Sequence, residues 1–177
     1  MSVPRIPRPA PAEHIPYFGK YIALVPGDDA LPGLAGQLAD TLALLAPLDD
    51  ARALHRYAAG KWSVKEVIGH VADCERVFAY RALHFAREDA TPLPGFDENA
   101  WAPAGRFDAR PLAELLDELR AVRAATVALF RSLDARALGR TGVANGNPIT
   151  PRALAWIACG HELHHRGILR ERYGVGG

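Results

Sequence analysis

Near its C-terminus the chain reads Gly160-His161-Glu162-Leu163-His164-His165-Arg166-Gly167, with three of its seven histidines inside five residues. His161 and His165 are four apart, so on a helix both imidazoles leave the same face and reach the same point in space. Leu154, Ile157, Ala158 and Ile168 mark that face as apolar, which points the pair inward. A buried ring nitrogen needs a partner, and two adjacent inward rings need a shared one. A divalent metal would serve both rings. Two core histidines satisfied by backbone carbonyls are the alternative, and spacing alone leaves both readings open.

The same residues match H-E-x-x-H, the zinc-protease pattern in which Glu162 would be the general base. Twelve residues follow His165. The extended form of that motif needs glycine where Ile168 stands and a further histidine, and neither is present. Glu171, the one downstream glutamate, falls on the same helix nearly two turns away. The protease match reads as accidental.

The elements that must position these residues are helices. Thr150-Pro151 supplies an N-cap and a first-turn proline for a last helix ending near Tyr173, where Gly174, Gly176 and Gly177 stop it. Ser63-Val64-Lys65-Glu66 is a capping box that opens a helix to about Ala86, with an inward stripe of Val67, His70, Val71, Cys74, Val77 and Phe78. His70 thus sits on an apolar face as well. Asp28 and Asp29 cap a first helix to about Ala46 through Leu31, Leu34, Ala35, Leu38, Leu42 and Leu45, and Pro47 with Asp49-Asp50 ends it. Another helix runs from Asp108–Pro111 to about Leu133, its interleaved Glu and Arg residues reading as a solvated face. Residues 88–107, with Pro92, Pro94, Gly95, Pro103 and Gly105, form a long connection whose Phe96, Trp101 and Phe107 suit packing over the body or over a site. No strand of any length emerges, and Asn145-Gly146-Asn147-Pro148 is turn chemistry. The sum is an all-α four-helix bundle with one long crossover.

Residues 1–27 carry six prolines and read as an extended arm, disordered at its very tip, that precedes a bundle domain over 28–177. The net charge of +1 gives no electrostatic case for nucleic acid or acidic membranes. Arginine outnumbers lysine 18 to 3, but the arginines are scattered and balanced by acids. Two cysteines, Cys74 and Cys159, are too few for a disulfide framework. With neither a signal-peptide pattern nor an apolar run long enough to span a bilayer, a soluble cytoplasmic protein is expected.

Bundles build metal sites from side chains on facing helices. His70, His161 and His165 are the histidines on inward stripes, and three imidazoles leave one tetrahedral position open, as in catalytic zinc sites. That position would generate hydroxide or hold a substrate thiolate near neutral pH, with zinc the first expectation and nickel or iron also compatible. Cys74, one turn from His70, is a further candidate ligand, although small buried cysteines usually pack. His164 lies about 100° round the helix from His165 and reads as peripheral. Asp73 could orient an imidazole or be an ordinary surface carboxylate. His14, His55 and His84 carry no pattern.

Gly60-Lys61-Trp62-Ser63-Val64-Lys65-Glu66-Val67-Ile68-Gly69-His70, then Asp73 and Glu75-Arg76, and finally Gly160-His161-Glu162-Leu163-His164-His165, resembles the DinB-like superfamily of damage-inducible and related four-helix proteins. The resemblance runs from about Tyr21 to Tyr173. It implies a metal held by His70, His161 and His165, a stress-related setting and a homodimer. It further implies a small-molecule substrate, with transferases using low-molecular-weight thiols such as bacillithiol among the family's activities. A thiol S-transferase is therefore the expected function, with a metal-dependent hydrolase or a non-catalytic metal- or ligand-binding module as alternatives. Where the family motif ends His-Arg-Gly-Gln, this chain has His165-Arg166-Gly167-Ile168, which removes one polar contact and argues against a shared substrate.

Overall fold

The computed structural model describes residues 5–176; the expected disorder at the arm's tip falls on 1–4, outside the described residues. Four long helices dominate: α2 (Ala30–Leu45), α4 (Val64–Ala86), α6 (Leu112–Arg131) and α8 (Pro151–Glu171), with short helices α1 (Gly19–Ile22), α3 (Asp50–Ala53), α5 (Glu98–Ala104) and α7 (Ala135–Leu138) between and around them. Around the bundle the order is α2, α6, α4, α8 and back to α2. Each start is chemically specified. Asp29 accepts from the Leu31 amide, Ser63 and Glu66 form the expected capping box, and Thr150 accepts from the Ala153 amide ahead of Pro151.

α6 has no side-chain cap of its own, and the Asp49-Asp50 pair explains how it starts. Asp49 caps α3, while Asp50 reaches across to accept from the Leu112 amide at 2.8 Å. Asp50 is held there by the buried Lys65 ammonium at 2.6 Å. These two aspartates therefore begin two helices as well as following one.

The arm is not extended throughout. Pro11 and Pro16 each open a single 3₁₀ turn, Pro11–Glu13 and Pro16–Phe18, because proline's fixed φ suits a first helical position, and the second turn runs straight into α1. The arm packs on α8. Ile6 is fully buried, the Trp156 indole N–H donates to the Ile6 and Pro7 carbonyls at 3.0 Å, and Glu13 accepts from Thr150 and Arg152. Arg8 lies over the Trp156 ring and donates to the carbonyls of Ile22, Val25 and Gly27, which closes the arm into a loop.

Two three-residue strands, β1 (Gly142–Ala144) and β2 (Asn147–Ile149), form a hairpin where no strand was expected. Asn145 and Gly146 both take positive φ, 51° and 72°, as a two-residue hairpin turn of this hand requires. Leu93 of the crossover pairs alongside, exchanging hydrogen bonds of 2.9 Å with Val143 and Asn145. The strands are too short for alternation to register in the sequence. No helix among the described residues is long and apolar enough to cross a membrane.

Candidate metal centre

α8 must lie close to the arm for its histidines to be enclosed, and Gly160 allows this. A Cβ at Gly160 would stand 2.0 Å from the Tyr21 carbonyl oxygen, so the backbone of α1 rests directly on the helix one residue before His161. Tyr21 then covers the cluster, its ring edge-on to His161 and His164 at 5.4 and 5.3 Å between centroids. On the α4 side Trp62 packs on His70 at 4.7 Å, and Phe78 meets His161 edge-on at 5.7 Å.

Within this aromatic enclosure the three predicted histidines converge. His161 Nε2 lies 3.1 Å from both His70 Nε2 and His165 Nε2, and one ligand atom from each ring falls within 4.8 Å of the others. All three are buried. Burial, reinforced by neighbouring histidines, holds His161 and His165 neutral far below the usual pKa and brings His70 down to about 4. A neutral Nε2 is either one donor or one acceptor. His161 Nε2 can therefore make one full hydrogen bond, to one neighbour, and leaves the other without one from it. Among the described residues no backbone carbonyl accepts from these rings, so the core-histidine alternative lacks its partners. His165 Nδ1 is, among the described residues, the one fully buried side-chain polar atom with no hydrogen bond.

A metal resolves the conflict. Tetrahedral coordination with Zn–N of about 2.0–2.1 Å places ligand nitrogens roughly 3.3 Å apart, close to the 3.1 Å spacing here. Three neutral imidazoles are also the correct protonation state for ligation. The residues fit a divalent cation.

The depressed pKa values have a measurable consequence for metal-free protein. The unfolded chain takes up protons at its histidines near 6.5, whereas the folded cluster resists them to about 4 or below. The stability tied to these rings is therefore present above about pH 6.5 and lost as pH falls towards 4. The melting temperature of chelator-treated protein should decline through that window. A flat profile would contradict a buried neutral cluster.

The remaining sequence candidates separate cleanly. Cys74 Sγ lies 3.6 Å from His70 but is outside the group of ligand atoms that lie within 4.8 Å of one another, and burial pushes its thiol pKa up. Asp73 pairs with Arg76 at 3.2 Å and orients no imidazole. His164 is half-buried at the rim, as its helical angle required. Glu162 is 1% exposed and points away from the cluster to Arg123 at 2.7 Å, accepting also from Thr41 and Gln37. It cannot serve as a protease base. Arg123, expected on a solvated face, is instead buried and bidentate to Glu75 at 2.8 Å. Its spacing, four after Leu119 and seven after Leu116, puts it on the apolar face, where its charge hid it, and no spacing pairs positions 48 apart.

A cavity of about 460 Å³ adjoins the cluster. His70, Cys74, Phe78 and His161 form part of its wall, together with Tyr21 and Phe96. Tyr21 and Arg81, also in this wall, were not singled out from sequence as site residues. Arg81 carries a legible signal, since it follows His70 by eleven residues and so returns to the same helical face.

Fold and site together define a helical-bundle protein with a buried three-histidine cluster suited to a metal. Residues 34–169 match the DinB superfamily, and the chain belongs to that family, in agreement with the motifs around Trp62–His70 and His161–His165. No curated protein matches the chain. Among solved structures it is similar to YfiT from Bacillus subtilis, described as a probable metal-dependent hydrolase with an unusual four-helix bundle topology. The TM-score is 0.71 and the identity 20%, over 94% of this chain and 93% of that one. At that identity the likeness establishes the fold.

Proposed function

We propose that this protein is a metal-dependent hydrolase of small molecules, with a divalent cation, zinc first, on His70, His161 and His165. The observation that carries this reading is the convergence of three Nε2 atoms beside a 460 Å³ cavity, two of whose wall residues are His70 and His161. A cation bound there would act as a Lewis acid and lower the pKa of bound water to about 7. The chain's own residues supply the rest. Tyr21, Trp62 and Phe78 fix the ring planes and keep bulk water from the ligand nitrogens, which strengthens electrostatic effects inside the site. Phe78 and Phe96 offer apolar surface for a substrate body. The volume suits one drug-sized molecule together with a water.

Transfer to a low-molecular-weight thiol is the second reading, supported by the donor set, since three imidazoles accept a thiolate as readily as hydroxide. Its two organic substrates need more room than one substrate and a water. The fold likeness to a probable hydrolase leans the same way.

Metal analysis by plasma mass spectrometry of protein purified without a histidine tag is the first test, with about one ion per chain expected. Ester, amide and phosphoester panels, each run with and without bacillithiol, mycothiol or glutathione, then separate the readings. Turnover without thiol is expected. Turnover only with thiol would move the assignment to the transferase. A protein that takes up no zinc, nickel or iron would end both.

A further inference from the structure

His70, Cys74, Phe78 and Arg81 follow one face of α4 in order, and all four line the cavity. Arg81 stands three helical turns from His70, about 16 Å along the axis, so the two mark opposite ends of that wall. Arg81 is only 6% exposed. Of its five N–H donors, Nη2 donates to the Pro94 carbonyl at 2.8 Å, and among the described residues no carboxylate pairs with it. Burial pulls its pKa down, and no carboxylate raises it again. Arg123, equally buried, shows the usual arrangement by contrast, with two glutamates on its guanidinium. Glu98 is the acid in the cavity wall, but it sits on the exposed α5 and acts on Cys74 and Tyr21 rather than on Arg81. The Phe96 ring, 5.8 Å from the guanidinium carbon, adds an apolar flank.

We propose that Arg81 is the carboxylate-binding residue of this cavity, which makes the substrate an elongated molecule with a carboxylate at the Arg81 end. Its apolar middle lies against Phe78 and Phe96, and its reacting bond lies at the histidine end. The last clause rests on the proposed metal-dependent activity; the carboxylate site does not. A guanidinium fork matches a planar carboxylate bidentately. Among the described residues lining the cavity, histidines apart, Arg81 is the one cation, and its single guanidinium fork is filled by one planar carboxylate.

The test compares phenylbutyrate with its neutral amide, phenylbutyramide, by titration calorimetry on parent, chelator-treated parent, Arg81→Gln and Arg81→Lys. The acid should bind about ten-fold tighter than the amide in the parent, as a charge-assisted bidentate pair implies. That ratio should survive chelation, fall to within about two-fold in Arg81→Gln, and be partly kept in Arg81→Lys. In the unaltered protein the Arg81 Nε–H resonance should shift on titration with the acid and not with the amide, an arm that needs no variant to fold. Equal affinities in the parent, or no binding of the acid at millimolar concentration, overturn the proposal. It also falls if the preference survives in Arg81→Gln, as a purely structural bond to Pro94 would leave it, or if chelation alone abolishes it. A preference that persists in protein found to bind no metal upholds the carboxylate site while removing the hydrolase reading.

Discussion

Replacing His161 by alanine is expected to abolish metal retention and turnover together. His161 Nε2 is the atom common to both 3.1 Å contacts, so its loss leaves His70 and His165 without a shared centre. Removing an outer partner of a metal ligand already costs ten- to a hundred-fold in affinity, so deleting a ligand should cost more than about 100-fold. The stability effect depends on metal. In loaded protein the variant loses the stabilisation that binding gives the native state, and its melting temperature should no longer respond to added zinc. In chelator-treated protein that stabilisation is already absent, and the penalty reduces to the void left by one ring. Metal content, turnover and melting with and without zinc are measured on the same preparations. A variant that keeps the parent's metal would place the ion elsewhere.

Much of this was readable before any coordinates, because the decisive signals are local. Ser63 with Glu66, and Thr150 with Pro151, fix two helix starts within a few residues of sequence. Once those starts are placed, the 3.6-residue period carries His70, His161 and His165 inward without further information. Long-range pairings were not readable. That Asp50 would cap a helix 62 residues away, or that Trp156 would hold the arm through the carbonyls of Ile6 and Pro7, depends on packing that no spacing records. The hairpin was hidden by its length, although Asn145-Gly146 gave its turn. Glu162 shows how a motif can mislead: H-E-x-x-H specifies residue types, while the direction of the glutamate is decided by a cation on another helix. Within the cavity wall, Tyr21 comes from the arm and had no periodicity to betray it. Arg81 did, and was passed over because charge on a stripe is ordinarily read as its edge.

Arg123→Met is expected to be the most destabilising single change outside the histidine cluster, by about 3–5 kcal/mol, because it strips the cation from two buried carboxylates. Glu75 and Glu162 are 2% and 1% exposed, and the Arg123 guanidinium bridges them from α6 to α4 and α8. It also donates to the Leu34 carbonyl of α2, while Thr41 and Gln37 of α2 donate to Glu162. All four long helices therefore meet at one charged node. A loss of that size lowers the melting temperature by roughly 10 °C for a chain of this length. Pairing Arg123→Met with Glu75→Gln should recover much of the loss, since the remaining carboxylate keeps its Thr41 and Gln37 donors. A single variant costing under about 1 kcal/mol would show that the node does not hold the bundle. The node also explains the orientation of the site. On α8, His161 and His165 lie about 100° and 60° to the same side of Glu162, so anchoring Glu162 towards α6 turns both imidazoles towards His70 on α4. Arg123→Met should consequently weaken zinc binding as well as folding, although Arg123 touches none of the three histidines. Zinc affinity measured well below the variant's melting temperature separates that effect from simple unfolding, and parent-like affinity there would mean that α8 keeps its rotation through packing alone.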